Sequence, residues 1–134
     1  MAGLSRVAGP LVGVAFGVAA LLAGIAASTA RAFPNEQLAR GEEIWNSICS
    51  GCHGPDSTNP DAPLLLKQGS LKNYPTAAGL FEYVQGSMPQ EDPSSLADQQ
   101  YWDVLAFLLT KQGVTGGDAP LGPDNAKEMP TKPP

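Results

Sequence analysis

What is scarce in this 134-residue chain narrows the chemistry first: it has two cysteines and one histidine. A tetrahedral zinc site built from Cys and His cannot close, because a fourth such ligand does not exist. Basic side chains are few, eight Lys and Arg against thirteen Asp and Glu. With residues 1–32 set aside, six basic groups face all thirteen acidic ones, for a balance near −7. That surface repels phosphate and argues against nucleic acid and anionic lipid as partners. No alternating run is long enough to make a sheet, and no internal repeat is present, so the expected class is all-α.

The scarce ligands are gathered in five residues, Cys49-Ser50-Gly51-Cys52-His53. C-x-x-C-H is the attachment pattern of a c-type haem. Two thiols three positions apart reach the two vinyl groups on one porphyrin edge, and the adjacent imidazole then meets the iron as a proximal ligand. A thioredoxin-like disulfide would need a preceding strand and a β-α-β context, which the sequence does not offer. Covalent haem c is therefore the expected cofactor, with Cys49 and Cys52 as its thioether anchors and His53 as an iron ligand.

No other histidine exists, so either a methionine supplies the second axial ligand or the site is open. Of Met1, Met88 and Met129, the first belongs to the N-terminal segment and the last to a Pro-rich tail. Met88 lies in Gly86-Ser87-Met88-Pro89, where glycine ends a helical stretch and proline stiffens the loop that follows. It is the expected distal ligand, against the commoner role of methionine as core filler.

The N-terminus carries an export signal. Arg6 precedes an uncharged stretch from Val7 to Ala30, and Ala30-Arg31-Ala32 has the small-x-small form of a cleavage site. About 24 uncharged residues exceed the roughly 7 to 15 of a signal-peptide core and suffice to cross a bilayer. Gly, Ala and Pro10 dilute the stretch. Residues 1–32 are expected to be a signal peptide cleaved before Phe33, or else an N-terminal membrane anchor. Either outcome puts the remaining domain in the periplasm or on the outer face of the cytoplasmic membrane, since Arg6 marks the cytoplasmic end.

Three helices are expected around the motif. The first is capped by Asn35, carries Leu38, Ile44, Trp45 and Ile48 near one face, and delivers the cysteines before Gly51 lets the chain turn. The second is capped by Thr76, runs through Leu80, Phe81 and Val84, and stops at Gly86 to present Met88. The third starts near Asp98 and bears a wide apolar stripe from Tyr101 to Leu109, ending at Gly113. Residues 54–63 are loop by composition. The Gly/Pro-rich segment 113–134 is expected to be disordered in isolation or laid on a partner.

With these residues in view, 33–112 resembles a class I c-type cytochrome: a small all-α fold whose three main helices wrap one covalent haem. Gly41 and Trp45 match the family's small and aromatic positions in the N-terminal helix. Val104 and Phe107 match the positions they cross in the C-terminal helix. Pro63 resembles the proline whose carbonyl accepts the Nδ1 proton of the haem histidine, here His53, which would fix its tautomer. The resemblance also implies that Tyr74, Lys67 or Lys72 approaches the haem propionates, and the sequence does not choose among them.

The implied function is a monohaem carrier of single electrons between a redox donor and acceptor, not an enzyme, because His/Met ligation leaves no open iron position. The alternative is a membrane-anchored haem c subunit of a larger respiratory or photosynthetic oxidoreductase complex. An open-iron enzyme or gas sensor would need distal acid–base groups, and no second histidine is there to supply one. Acidity suggests a basic or largely apolar docking partner, or serves only to keep the domain soluble.

Overall fold

The first helix begins where Pro34 leaves the extended region and its carbonyl accepts Leu38 N–H at 3.1 Å. Asn35 is already inside this helix, α1 (Asn35–Ile44), so the cap falls one residue earlier than expected and no side chain closes it. These features come from a computed structural model that describes Gly3 and residues 33–134; the expected export or anchor segment, with Met1, lies outside the described residues.

Past Ile44 the helix does not break. It widens into one π-helical stretch, Trp45–Cys49, and tightens again into α2 (Ser50–His53). Gly51 therefore lies within a helix, and the turn expected there occurs at Gly54, whose φ is 82°. Only a residue without a Cβ adopts that value freely, and a Cβ there would also press on the backbone nitrogens of Thr58 and Asn59 at 3.3 and 3.2 Å.

Helix α3 (Ala77–Ser87) is capped by Thr76, whose Oγ1 accepts Gly79 N–H at 3.3 Å. Helix α4 (Asp98–Lys111) begins with Gln100 accepting Ala97 N–H through its side chain at 3.0 Å. It ends in a complete Schellman turn: Gly113, φ 82°, donates to Thr110 O, and Val114 donates to Leu109 O, both at 3.0 Å. Every residue from Tyr101 to Leu109 is buried.

Helix α1 crosses α4 at Gly41, and α3 lies on α4 through Phe81, which stacks on Trp102 with centroids 3.8 Å apart and meets Tyr101 edge-on. Among the described residues there is no strand, only an isolated antiparallel bridge between Thr76 and Pro130. No helix of the described residues is long and apolar enough to cross a membrane.

The 113–134 segment corrects the expectation of disorder or a partner-bound arm, because it packs on its own domain. Val114, Leu121, Ala126 and Thr131 are buried. Gln37 holds Leu121 by a reciprocal amide pair, Nε2 donating to Leu121 O at 2.9 Å and Oε1 accepting Leu121 N–H at 2.7 Å. Met129 O and Ala126 O then accept the N–H groups of Ala77 and Ala78 at 2.8 and 3.0 Å, satisfying first-turn donors of α3 that have no partner within the helix. Composition missed this because a few well-spaced apolar side chains and backbone bonds fix a segment that averages as polar.

Candidate functional site

The five-residue motif spans the end of the π stretch and α2, so its three ligands share little more than one helical turn. Cys49 is half-buried, Cys52 is exposed and His53 is 8 % exposed. Burial, with a smaller contribution from neighbouring Cys52, pushes the Cys49 thiol up to about 11.

His53 is held from two sides. Its Nδ1 lies 3.1 Å from Pro63 O, and its ring stands 5.9 Å from that of Trp45. Trp45 is 1 % exposed, packs on Phe107 at 6.3 Å, and donates its indole N–H to Pro55 O at 2.9 Å. One side chain thus ties the motif helix to α4 and to the loop that returns to the histidine. Asn59 closes the C-terminal end of α2, its backbone N–H donating to His53 O at 3.1 Å and its side-chain amide donating to Cys52 O. With Nδ1 directed at a carbonyl, Nε2 is the ring nitrogen left to meet a metal.

Met88 sits immediately after α3, with its N–H on Val84 O at 2.8 Å and its carbonyl accepting the Tyr101 hydroxyl at 2.8 Å. Its loop approaches the motif: Glu91 Oε1 is 4.0 Å from Cys52 Sγ. Tyr74 is half-buried, with its ring centroid 5.1 Å from that of Tyr83. Burial, then Tyr83, raises its pKa. Lys67 and Lys72 are exposed.

Several supporting residues were not picked out from sequence. Gln112 is fully buried and braces the 65–70 loop, donating to Leu65 O at 2.8 Å and accepting Gly69 N–H at 2.8 Å. Asn59 and Ser57 shape the return loop, and Tyr101 holds the Met88 backbone. Their only sequence signal was polarity within an apolar or loop context, which does not name a partner.

The donor set fits a covalently attached porphyrin. Two unpaired thiols lie on one helical turn, beside a histidine whose second ring nitrogen is already engaged. Half-buried apolar side chains, among them Ile48, Leu65, Phe81 and Val84, pack at the edge of the core.

Comparison with known proteins agrees. Residues 36–108 match the family described as cytochrome c oxidase, cbb3-type, subunit III. A thiosulfate dehydrogenase of Allochromatium vinosum is 31 % identical over 83 residues, covering 52 % of this chain and 30 % of the relative. The crystal structure of the sulfane dehydrogenase SoxCD from Paracoccus pantotrophus superposes with a TM-score of 0.57 at 26 % identity, covering 69 % of this chain and 52 % of that one. The chain thus spans no more than about half the length of these two relatives. A C-x-x-C-H turn braced in an all-α domain, matched over more than half its length, places the chain in the family of cytochrome c oxidase, cbb3-type, subunit III, as a cytochrome c domain with covalent haem c and an electron-transfer role.

Proposed function

We propose that this chain is a monohaem cytochrome of the class I pattern that carries single electrons between a donor and an acceptor protein outside the cytoplasmic membrane. In this reading Cys49 and Cys52 hold the haem by thioether bonds, His53 is the proximal iron ligand, Met88 the distal one, and Tyr74 a contact of the haem edge. The observation that carries it is the 3.1 Å approach of His53 Nδ1 to Pro63 O, which supports this reading because it orients the imidazole and leaves Nε2 available to an iron. The haem, when bound, supplies a one-electron ferric/ferrous couple.

The protein's part is positional. Trp45, Asn59 and Pro63 fix the proximal ring. Tyr101 and the end of α3 fix the Met88 backbone. With haem bound, His53 and Met88 would both hold the iron and leave no place on it for substrate or oxygen, which would suit the site to electron transfer alone.

The test is intact mass with visible spectra of the natively expressed protein, together with Met88→Ala. One haem added per chain and a low-spin spectrum are expected. The variant should give an altered or high-spin haem with a lowered potential. A variant matching wild type in spectrum and potential would rule out Met88 as ligand.

A second reading is favoured by the family itself, whose description is that of an oxidase subunit: a membrane-anchored haem c subunit of a larger respiratory oxidoreductase. Retention in the membrane fraction with a partner at moderate salt would favour it; a soluble, cleaved haem protein would favour the carrier.

A further inference from the structure

Ser57 occupies a position its backbone does not favour. Its φ is 54°, in the left-handed region where a Cβ is costly and glycine is the easy occupant. It is nevertheless 2 % exposed, and its hydroxyl both accepts and donates a hydrogen bond. Oγ accepts Leu65 N–H at 2.5 Å and donates to Pro63 O at 3.3 Å. That oxygen is the one His53 Nδ1 approaches at 3.1 Å.

A carbonyl oxygen has two lone pairs, so both donors can be accepted at once. They are not independent, because each draws electron density from the same oxygen and weakens its hold on the other. Accepting from Leu65 polarises the Ser57 hydroxyl and makes it a better donor, as in any chain of hydrogen bonds. The return loop therefore builds a competitor for the acceptor of the histidine at a position where glycine would be easier.

We propose that Ser57 is a positioning residue that tempers the pull of Pro63 O on the His53 ring and thereby raises the reduction potential of the site. The proposal rests on proximal ligation by His53. A stronger Nδ1–H···O bond makes the imidazole a more basic, more anionic donor, which favours ferric iron. By taking part of the carbonyl's capacity, Ser57 keeps the ring closer to a neutral imidazole and favours the ferrous state.

Two variants of the haem-loaded full chain separate this from a packing role. Ser57→Ala removes the hydroxyl and keeps a Cβ at positive φ; Ser57→Gly removes the hydroxyl and relaxes the backbone. Both should lower the midpoint potential by similar amounts and move the His53 Nδ1 proton resonance of the reduced protein downfield, while their thermal stabilities diverge with Gly above Ala. Unchanged potentials and Nδ1 resonances, or a shift in Ala that Gly abolishes, would overturn the proposal while leaving His53 ligation intact. A His53→Ala chain retaining the wild-type ferric spectrum would instead overturn the ligation on which it rests.

Discussion

Gly41 lies so close to Asp103 that a Cβ on it would overlap the Asp103 carbonyl oxygen and come within 2.9 Å of Phe107 Cβ. Both obstacles belong to α4, one of them rigid backbone, so neither can step aside. Gly41→Ala should gain up to about 1 kcal/mol of helix propensity and lose more by forcing α1 off α4, for a net cost of about 1–3 kcal/mol. Chemical unfolding of the haem-loaded protein measures this; an equal or higher midpoint would show that the helices can separate freely.

The buried carboxylate of the same residue makes stability depend on acid. Burial acts to raise the Asp103 pKa, but hydrogen bonds from Arg40, Gln99 and Gln37, with the charge of Arg40, outweigh it and hold the group below its ordinary value. The Arg40 pair is bidentate, at 2.6 and 3.1 Å. An unfolded aspartate titrates near about pH 3.9. Because the folded value is lower, the stabilisation is complete above that pH and disappears as pH falls through the folded pKa. Asp103→Asn should flatten the loss of stability below about pH 4, read as unfolding midpoints across acid pH. Parallel profiles for variant and wild type would refute the assignment.

Leu121 lies in the segment whose composition reads as disordered, yet it is 1 % exposed. Leu121→Ala should cost about 2–5 kcal/mol, the range for a leucine removed from a packed core. It should also speed proteolysis between Gly116 and Pro134, because the Gln37 pair loses its apolar support. A variant as stable and as resistant as wild type would mean that the tail is not docked in solution.

Tyr101 combines a core ring with a hydroxyl that donates to Met88 O at 2.8 Å and accepts Leu96 N–H at the longer distance of 3.5 Å. Tyr101→Phe keeps the edge-on contact with Phe81 and deletes the donor. The net loss of one such bond is about 1 kcal/mol. If Met88 is the distal ligand, added imidazole should displace it roughly fivefold more readily from the ferric protein. An unchanged imidazole titration would show that this hydroxyl does not steady the loop.

Much of the architecture was legible because its signals are local. Thr76 caps α3 through its own hydroxyl, and Gly113 ends α4 because the Schellman turn needs positive φ. The stripe from Tyr101 to Leu109 had to be buried by its width alone. Boundaries failed where the signal was shared: Gly51 and Gly54 both suit a turn, and only the contacts of Asn59 with the end of α2 select the second. Asn35 was a good cap in isolation, yet the Pro34 carbonyl already accepts the first helical bond.

The sequence by itself determined the chemistry of the site, because C-x-x-C-H concentrates the chain's two thiols and only imidazole within one turn, and the resemblance carried by Gly41, Trp45, Val104 and Phe107 implied a close helix crossing. Only the tertiary structure decided what supports them. Gln37 meets Leu121 across 84 positions, and Gln112 reaches Leu65 across 47. A buried amide satisfies whichever backbone group the fold brings to it, so no spacing in the chain announces its partner. The docking of the tail and the sharing of one carbonyl by Ser57 and His53 depend on the same kind of long-range or loop-closing geometry.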